Sequence, residues 1–366
     1  MAGIRVEHLH KAFADFVAVR DSSFAVHDGE FFCLLGPSGC GKTTTLRMIA
    51  GLELPSSGHI LLGGEDVTFK RASQRDIAFV FQLFALYPHM NVRSNIAFPL
   101  RSQGMLARDV VARVEEAARV LRIEHLLDRP VSGLSSGDRQ RVALGRAIVR
   151  EPMAFLLDEP LGALDAEFRE VMCGELRALH DRLKATTVYV THDQLEAMAM
   201  ADKIALMNHG VVEQLGTPQD IYDRPASLFV ADFIGSPPMN FLPFRGRVAA
   251  GDRVVRVDSV DIALPELREG SADTELVLGV RPEHIELVDD APLRAEVVDT
   301  EYLGTTQIVT LNMATGARMK ARIPADVPVR PGERAGVNFR PGLLSLFDKG
   351  SGRALRTALH DGGAHG

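Results

Sequence analysis

The sequence predicts an α/β domain followed by a small all-β domain of barrel type. Three observations predict it. Up to about Ile234, short apolar runs alternate with amphipathic helical patterns, as they do where helices cover a sheet. Early in that region an apolar run, 31–35, feeds a glycine-rich turn and then a helical pattern. Beyond the turn-rich segment 235–240 the texture changes to short alternating strands broken by Gly and Pro. With 366 residues, 46% of them apolar and 24% charged, the chain has material for more than one core.

Taken in order, strand 31–35 leads into Gly36, Pro37, Ser38, Gly39, Cys40, Gly41, Lys42, Thr43 and Thr44, with a helix over 44–50. Backbone N–H groups of such a loop point inward at a phosphate chain, and the helix N-terminus adds partial positive charge. Lys42 supplies a full charge for the β- and γ-phosphates, and the Thr43 hydroxyl suits Mg²⁺. A glycine turn with an incidental lysine is the bland alternative; the strand before and the helix after argue against it. The chain is expected to bind a nucleoside triphosphate.

Strands at 77–81, 154–157, 187–190 and 203–207 and helices at 108–121, 165–183 and 193–200 complete the first domain. In 108–121, helical spacing puts Val110, Val111, Val114, Ala117, Ala118 and Leu121 on one face. Strand 154–157 ends in Asp158 and Glu159. Asp158 is placed to help hold Mg²⁺, and Glu159 to polarise the water that attacks the γ-phosphate. Alone, two acids at a strand end are usually just solvated. Downstream, Ser135 reads as the N-cap of a helix running to Val149, and the N–H groups near Gly137 form a second anion site.

The net charge of −7 gives no global basic field for nucleic acid. Arg139, Arg141, Arg146 and Arg150 recur at helical intervals and read as a solvated helix face. Cys33, Cys40 and Cys173 form no C-x-x-C pair, which fits reduced thiols. The first residues have neither the basic segment nor the apolar core of a leader, and no window approaches the ~20 apolar residues of a spanning helix. Any membrane crossing would fall to another subunit. In the second domain, strands are expected at 253–257, 275–280, 293–301, 307–312 and 335–339. The expected division is 1–234, 235–350 and a mobile tail 351–366, whose His360 and His365 read as solvated rather than metal-binding.

With both phosphate motifs in place, 134–140 makes the chain resemble an ATP-binding-cassette ATPase. That resemblance implies a P-loop NTPase cassette, a mixed sheet core with a helical subdomain, followed by an OB-like regulatory domain. It places Gln82 at a loop that touches Mg²⁺ and the attacking water, and Asp165 in a loop, 161–165, facing the partner. His192 falls at a switch position contacting the γ-phosphate, and Phe13 at the aromatic that stacks on adenine, with Phe16 a close rival. It also implies a head-to-tail dimer with a second copy, in which Ser135, Ser136, Gly137 and Asp165 act in trans. ATP closes that dimer; hydrolysis by Glu159 with His192 releases it. Two positions depart from the family pattern. Ser136 stands where Gly is common, at a cost of about 1–2 kcal/mol if the position requires φ > 0. Asp138 stands where Gln or Glu is common and has a shorter reach.

Segments 216–222, 233–241, 278–285 and 298–304 resemble importers for maltose, related sugars and glycerol phosphate. Segment 84–92 resembles the surface that receives a coupling helix from a membrane subunit. The resemblance implies a peripheral ATPase subunit on the cytoplasmic face of the inner membrane, working with ATP and Mg²⁺. Two copies would sit under two transmembrane permease subunits, fed by an extracytoplasmic solute-binding protein, with no nucleic acid partner. An importer for polyamines or ferric iron is the alternative within the class. DNA-maintenance ATPases insert long heptad runs between the two phosphate motifs, and translation-linked ones typically carry two cassettes. This chain has neither feature.

Overall fold

The computed structural model describes residues 3–82, 85–162, 164–257, 260–314 and 316–361. It divides into two units, 1–218 and 219–366. The first unit begins with a hairpin, β1 (Ile4–Phe13) and β2 (Phe16–Val26), then β3 (Phe31–Leu35) and α1 (Lys42–Ala50). Next come β4 (Ser57–Leu62), β5 (Glu65–Asp66), β6 (Ile77–Val80), α2 (Val92–Ser102), α3 (Ala107–Leu121) and α4 (Ser136–Ile148). It closes with β7 (Ala154–Asp158), α5 (Ala166–Leu183), β8 (Thr186–Thr191), α6 (Gln194–Met200), β9 (Lys203–Asn208) and β10 (Val211–Gly216).

These strands form one ten-stranded mixed sheet in the order β5-β4-β1-β2-β10-β9-β3-β8-β7-β6. The run from β9 to β6 is parallel, whereas β1, β2, β4 and β5 make an antiparallel wing. Every residue of β3 and β8 is buried. Strands covered on both faces read as continuous apolar runs, which is why these were visible in the sequence. Helices α2 to α4 form the helical part between β6 and β7. In α3 the buried face holds Val110, Val114, Ala117, Ala118 and Leu121. Val111, expected on that face, is instead exposed, because it lies ~100° round the helix from Val110.

The second unit contains α7 (Pro218–Asp223, of which Pro218 closes the first unit), α8 (Leu228–Phe233) and antiparallel strands β11 (Asn240–Val248), β12 (Val254–Val257) and β13 (Val260–Ala263). It continues through β14 (Ser271–Val280), β15 (Ile285–Leu287), β16 (Leu293–Tyr302), β17 (Thr306–Met313), β18 (Arg318–Pro324), β19 (Arg334–Phe339) and β20 (Ser345–Asp348). They form sheets β11-β14-β20, β12-β13 and β15-β19-β16-β17-β18. Alternate residues such as Leu276, Leu278 and Val280 point into one apolar core.

By its internal contacts the chain divides at Pro218/Gln219, ahead of the turn 235–240. The reason is Arg281, which is 1% exposed. Its guanidinium donates to Tyr222 O at 2.7 Å, Ala231 O at 3.3 Å and Ile234 O, so α7 and α8 are fastened to the end of β14. The expected tail is ordered through residue 361. Ala354 N–H donates to Ala226 O at 3.0 Å and Leu355 N–H to Leu346 O at 2.7 Å, and Thr357 is buried. His360 accepts from Thr357 N–H at 3.0 Å as part of a helix cap. His365 lies outside the described residues. Among the described residues no helix is long and apolar enough to cross a membrane.

Candidate functional site

Strands β3, β8, β7 and β6 are neighbours and run parallel, so their carboxyl ends share one edge, where open α/β sheets gather ligands. At β3 the chain turns through the glycine loop into α1. Gly41 is the N-cap, and with no side chain it leaves the first helical amides uncapped. Its φ of 105° and the 2.5 Å that a Cβ would leave to Ala18 O both require glycine. Helix α1 begins at Lys42 itself, two residues before the sequence reading placed it. The buried Lys42 Nζ donates to Gly36 O at 2.8 Å and Pro37 O at 2.9 Å. The loop is therefore curled round its own ammonium. Ser38 and Gly39 are exposed, Pro37 and Thr44 half-buried, and Cys40 is buried. Burial pushes the Cys40 thiol up, against the opposing charge of Lys42.

At β7, Thr43 Oγ1 donates to Asp158 Oδ1 at 2.9 Å, joining the two phosphate motifs. Burial pushes the Asp158 carboxyl above the usual carboxylate range; the Thr43 bond works against this and the Glu159 charge with it. Glu159 has a φ of 43°, unusual for a residue with a Cβ. Its N–H donates to Val190 O at 3.0 Å. Its Oε2 lies 3.2 Å from His192 Nδ1, at the end of β8, and 3.5 Å from Gln82 Nε2, beyond β6. Gln82, Glu159 and His192 thus meet at one carboxylate.

The segment carrying His192 is held from behind by residues the sequence reading missed. Asp193 caps α6, and buried Glu196 accepts from Tyr189 Oη and Thr191 Oγ1, both at 2.7 Å. Burial pushes the Glu196 carboxyl up. Arg169 Nη1 donates to Asp193 Oδ2 at 2.8 Å and its Nη2 to Leu164 O at 2.9 Å. One guanidinium therefore ties loop 161–165 to the His192 segment. Asp165 itself caps α5, accepting from Phe168 N–H at 2.9 Å; Ala163 lies outside the described residues. The Asp193-x-x-Glu196 spacing, a helix-start pattern, was the legible signal for Glu196.

At the start of α4, Ser135 is the N-cap and exposed. Gly137 is buried: a Cβ there would lie 2.2 Å from Phe168 Cε1. A side chain at this position would need the Phe168 ring of α5, in the same chain, to move aside. Ser136 is the first residue of the helix and has no positive φ, so the left-handed cost allowed for it does not arise. Ser136→Gly should leave ATP hydrolysis unchanged and lower stability by at most about 1 kcal/mol in urea unfolding. A large acceleration of hydrolysis would show that the serine obstructs the site.

Phe13 and Phe16 are cross-strand partners at the tip of the β1–β2 hairpin, 42% and 59% exposed. Lys11 Nζ lies 4.5 Å from the Phe13 ring centre. Both rings are open to solvent, so exposure does not choose between them. The arginines of α4 are not simply solvated. Arg141 is paired with Glu175 at 2.9 Å, and Arg146 donates to Ala85 O at 2.8 Å. Arg146 also packs 5.4 Å from the centre of the Tyr87 ring. With Phe79, Phe98, Pro99 and Arg150, these two line a cleft of about 350 Å³. Phe84 lies outside the described residues.

Comparison with known proteins turns this geometry into a family assignment. The family model "ABC transporter" matches residues 19–162. "MalK OB fold domain" matches 235–285 and "TOBE domain" matches 278–347. The trehalose/maltose import ATP-binding protein of Thermococcus litoralis is 46% identical, over 97% of this chain and 100% of that one. This chain belongs to the ATP-binding-cassette (ABC) transporter family. Other ABC relatives include the trehalose import ATP-binding protein of Mycobacterium tuberculosis, 44% identical over 97% of this chain and 98% of that protein. The sn-glycerol-3-phosphate import ATP-binding protein of Cereibacter sphaeroides is 44% identical over 97% of this chain and 100% of its own length. Among solved structures, cbiO1 from Clostridium perfringens, part of the ABC transporter complex cbiONQ, is similar with a TM-score of 0.56. It is 28% identical and covers 60% of this chain and 89% of that one. As an ABC ATP-binding protein, the chain binds and hydrolyses ATP and works within a transporter complex.

Proposed function

We propose that this chain is the ATPase subunit of a carbohydrate importer, for a sugar, a polyol or glycerol phosphate. The observation that carries its chemistry is the meeting of four strand ends, bringing Lys42 and Thr43, Asp158 and Glu159, Gln82, and His192 to one edge. Relatives named for trehalose, maltose, glycerol phosphate and sulfoquinovosyl glycerol, matched across the β domain as well, support the solute class.

In this reading the loop Gly36–Thr44 wraps the phosphate chain, and Lys42 exchanges the Gly36 and Pro37 carbonyls for phosphate oxygens. Phe13 stacks on adenine. Thr43, Asp158 and Gln82 form an all-oxygen donor set that fits Mg²⁺, which would neutralise phosphate charge there. Glu159 accepts the proton of the attacking water, and His192, held beside it, contacts the γ-phosphate. Ser135, Ser136, Gly137 and Asp165 complete the site of a second copy, head to tail. The cleft lined by Tyr87 and Phe98 receives a helix of one permease subunit, so that two copies of the chain serve two permeases on the cytoplasmic face of the membrane. An extracytoplasmic binding protein delivers the solute.

The test is reconstitution of the chain in vesicles with its permease subunits and solute-binding protein. ATP hydrolysis should rise several-fold with binding protein loaded with a sugar, polyol or glycerol phosphate. Stimulation by a polyamine or ferric iron alone would overturn the solute class.

A further inference from the structure

A hydroxyl has one proton to give, and at the start of α4 that proton is already given. Ser135 Oγ donates to Asp138 Oδ2 at 2.7 Å while accepting from Asp138 N–H at 3.1 Å. The short aspartate, three residues on, closes back onto the hydroxyl itself. Among the described residues the cation paired with Asp138 is Arg141, at 3.5 Å. Its guanidinium is committed more closely to Glu175, with three contacts of 2.9–3.2 Å. The Asp138 carboxyl is thus only loosely paired, at the helix end whose dipole would otherwise favour an anion.

We propose that Asp138 is a brake on ATP-driven closure of the dimer. It is a positioning residue that holds the Ser135 proton away from the incoming γ-phosphate and sets a like charge beside it. Closure then requires the Ser135 hydroxyl to turn from Asp138 to the phosphate, so the dimer forms only at higher ATP than a neutral residue would need. This rests on the reading that Ser135 acts in trans. The isosteric Asp138→Asn removes the charge and keeps an oxygen and a local partner for the cap.

The test is nucleotide-driven dimerisation of the full chain, followed by sedimentation with a non-hydrolysable ATP analogue. Alongside it, binding of a fluorescent nucleotide to the monomer reports whether each variant keeps its own phosphate loop intact. Asp138→Asn should dimerise at about tenfold lower nucleotide, and the KM for ATP should fall by more than kcat changes. Asp138→Gln, also neutral, should shift the same way and stands in if the asparagine variant does not fold. Ser135→Ala should weaken dimerisation, and Asp138→Asn should gain little in that background. If Ser135→Ala dimerises like the parent, the trans reading fails and the brake with it. If Ser135→Ala is impaired but neither neutral variant shifts the midpoint, the trans reading stands and the brake alone is overturned.

Discussion

Replacing Glu159 with glutamine should lower steady-state ATP hydrolysis by about 10²–10⁴-fold, the usual contribution of a general base, while leaving ATP affinity within a few-fold of the parent. Glutamine has the same shape and keeps an oxygen toward Gln82 and His192, but it cannot take a proton from water. The substitution is also conformationally clean. The strain of the 43° φ belongs to the backbone, and one residue with a Cβ replaces another there. The N–H bond to Val190 O at 3.0 Å is kept as well. Closed dimer should accumulate with ATP, visible as a stable dimer peak in size-exclusion chromatography. Hydrolysis near the parental rate would remove Glu159 from the role of base and point to His192, 3.2 Å from it, as the group that orients the water.

The parts of this site that the sequence made legible are those written in local patterns. The loop 36–44 follows a fully buried strand and starts a helix, and Asp158 and Glu159 end another such strand, so periodicity and punctuation reveal both. A parallel sheet then brings strand ends to one edge without further instruction. What stayed hidden depends on contacts distant in sequence. Arg169 reads as one more charge on a helix until its fork is seen spanning Leu164 and Asp193. Arg281 groups α7 and α8 with the β strands because it reaches the carbonyls of Tyr222 and Ala231, which no composition shift records. The segment after 350 looked like a tail because it is polar and glycine-containing, yet Leu355 pairs with Leu346 and Thr357 is buried. Ser136 was a concern only while its backbone was unknown; at the first turn of α4 it is an ordinary helical residue. The family resemblance is what proposes roles for Gln82 and His192, and the fold gives the distance of each from Glu159.

Lys42→Ala should weaken ATP binding by about 2–5 kcal/mol, or roughly 30- to several-thousand-fold, the range for removing one member of a buried charged pair. Lys42 is 4% exposed, so water competes little for its ammonium. Without nucleotide it donates to Gly36 O at 2.8 Å and Pro37 O at 2.9 Å. In the proposed reading these neutral acceptors give way to phosphate oxygens when ATP enters, so the gain is charge-assisted and arises only on binding. The alanine variant loses that gain. It also leaves the Gly36 carbonyl short of a donor in the nucleotide-free chain, which costs about 1–3 kcal/mol of stability. The two effects separate by experiment. Thermal unfolding without nucleotide reports the carbonyl, and titration with a fluorescent ATP analogue reports the phosphate. Lys42→Arg keeps the charge but brings a planar fork in place of the compact ammonium that the Gly36 and Pro37 carbonyls hold. It should bind ATP nearly as poorly as the alanine variant. Parental affinity in Lys42→Ala would mean that the loop amides and the α1 dipole hold the phosphates unaided, and that the lysine serves only to shape the empty loop.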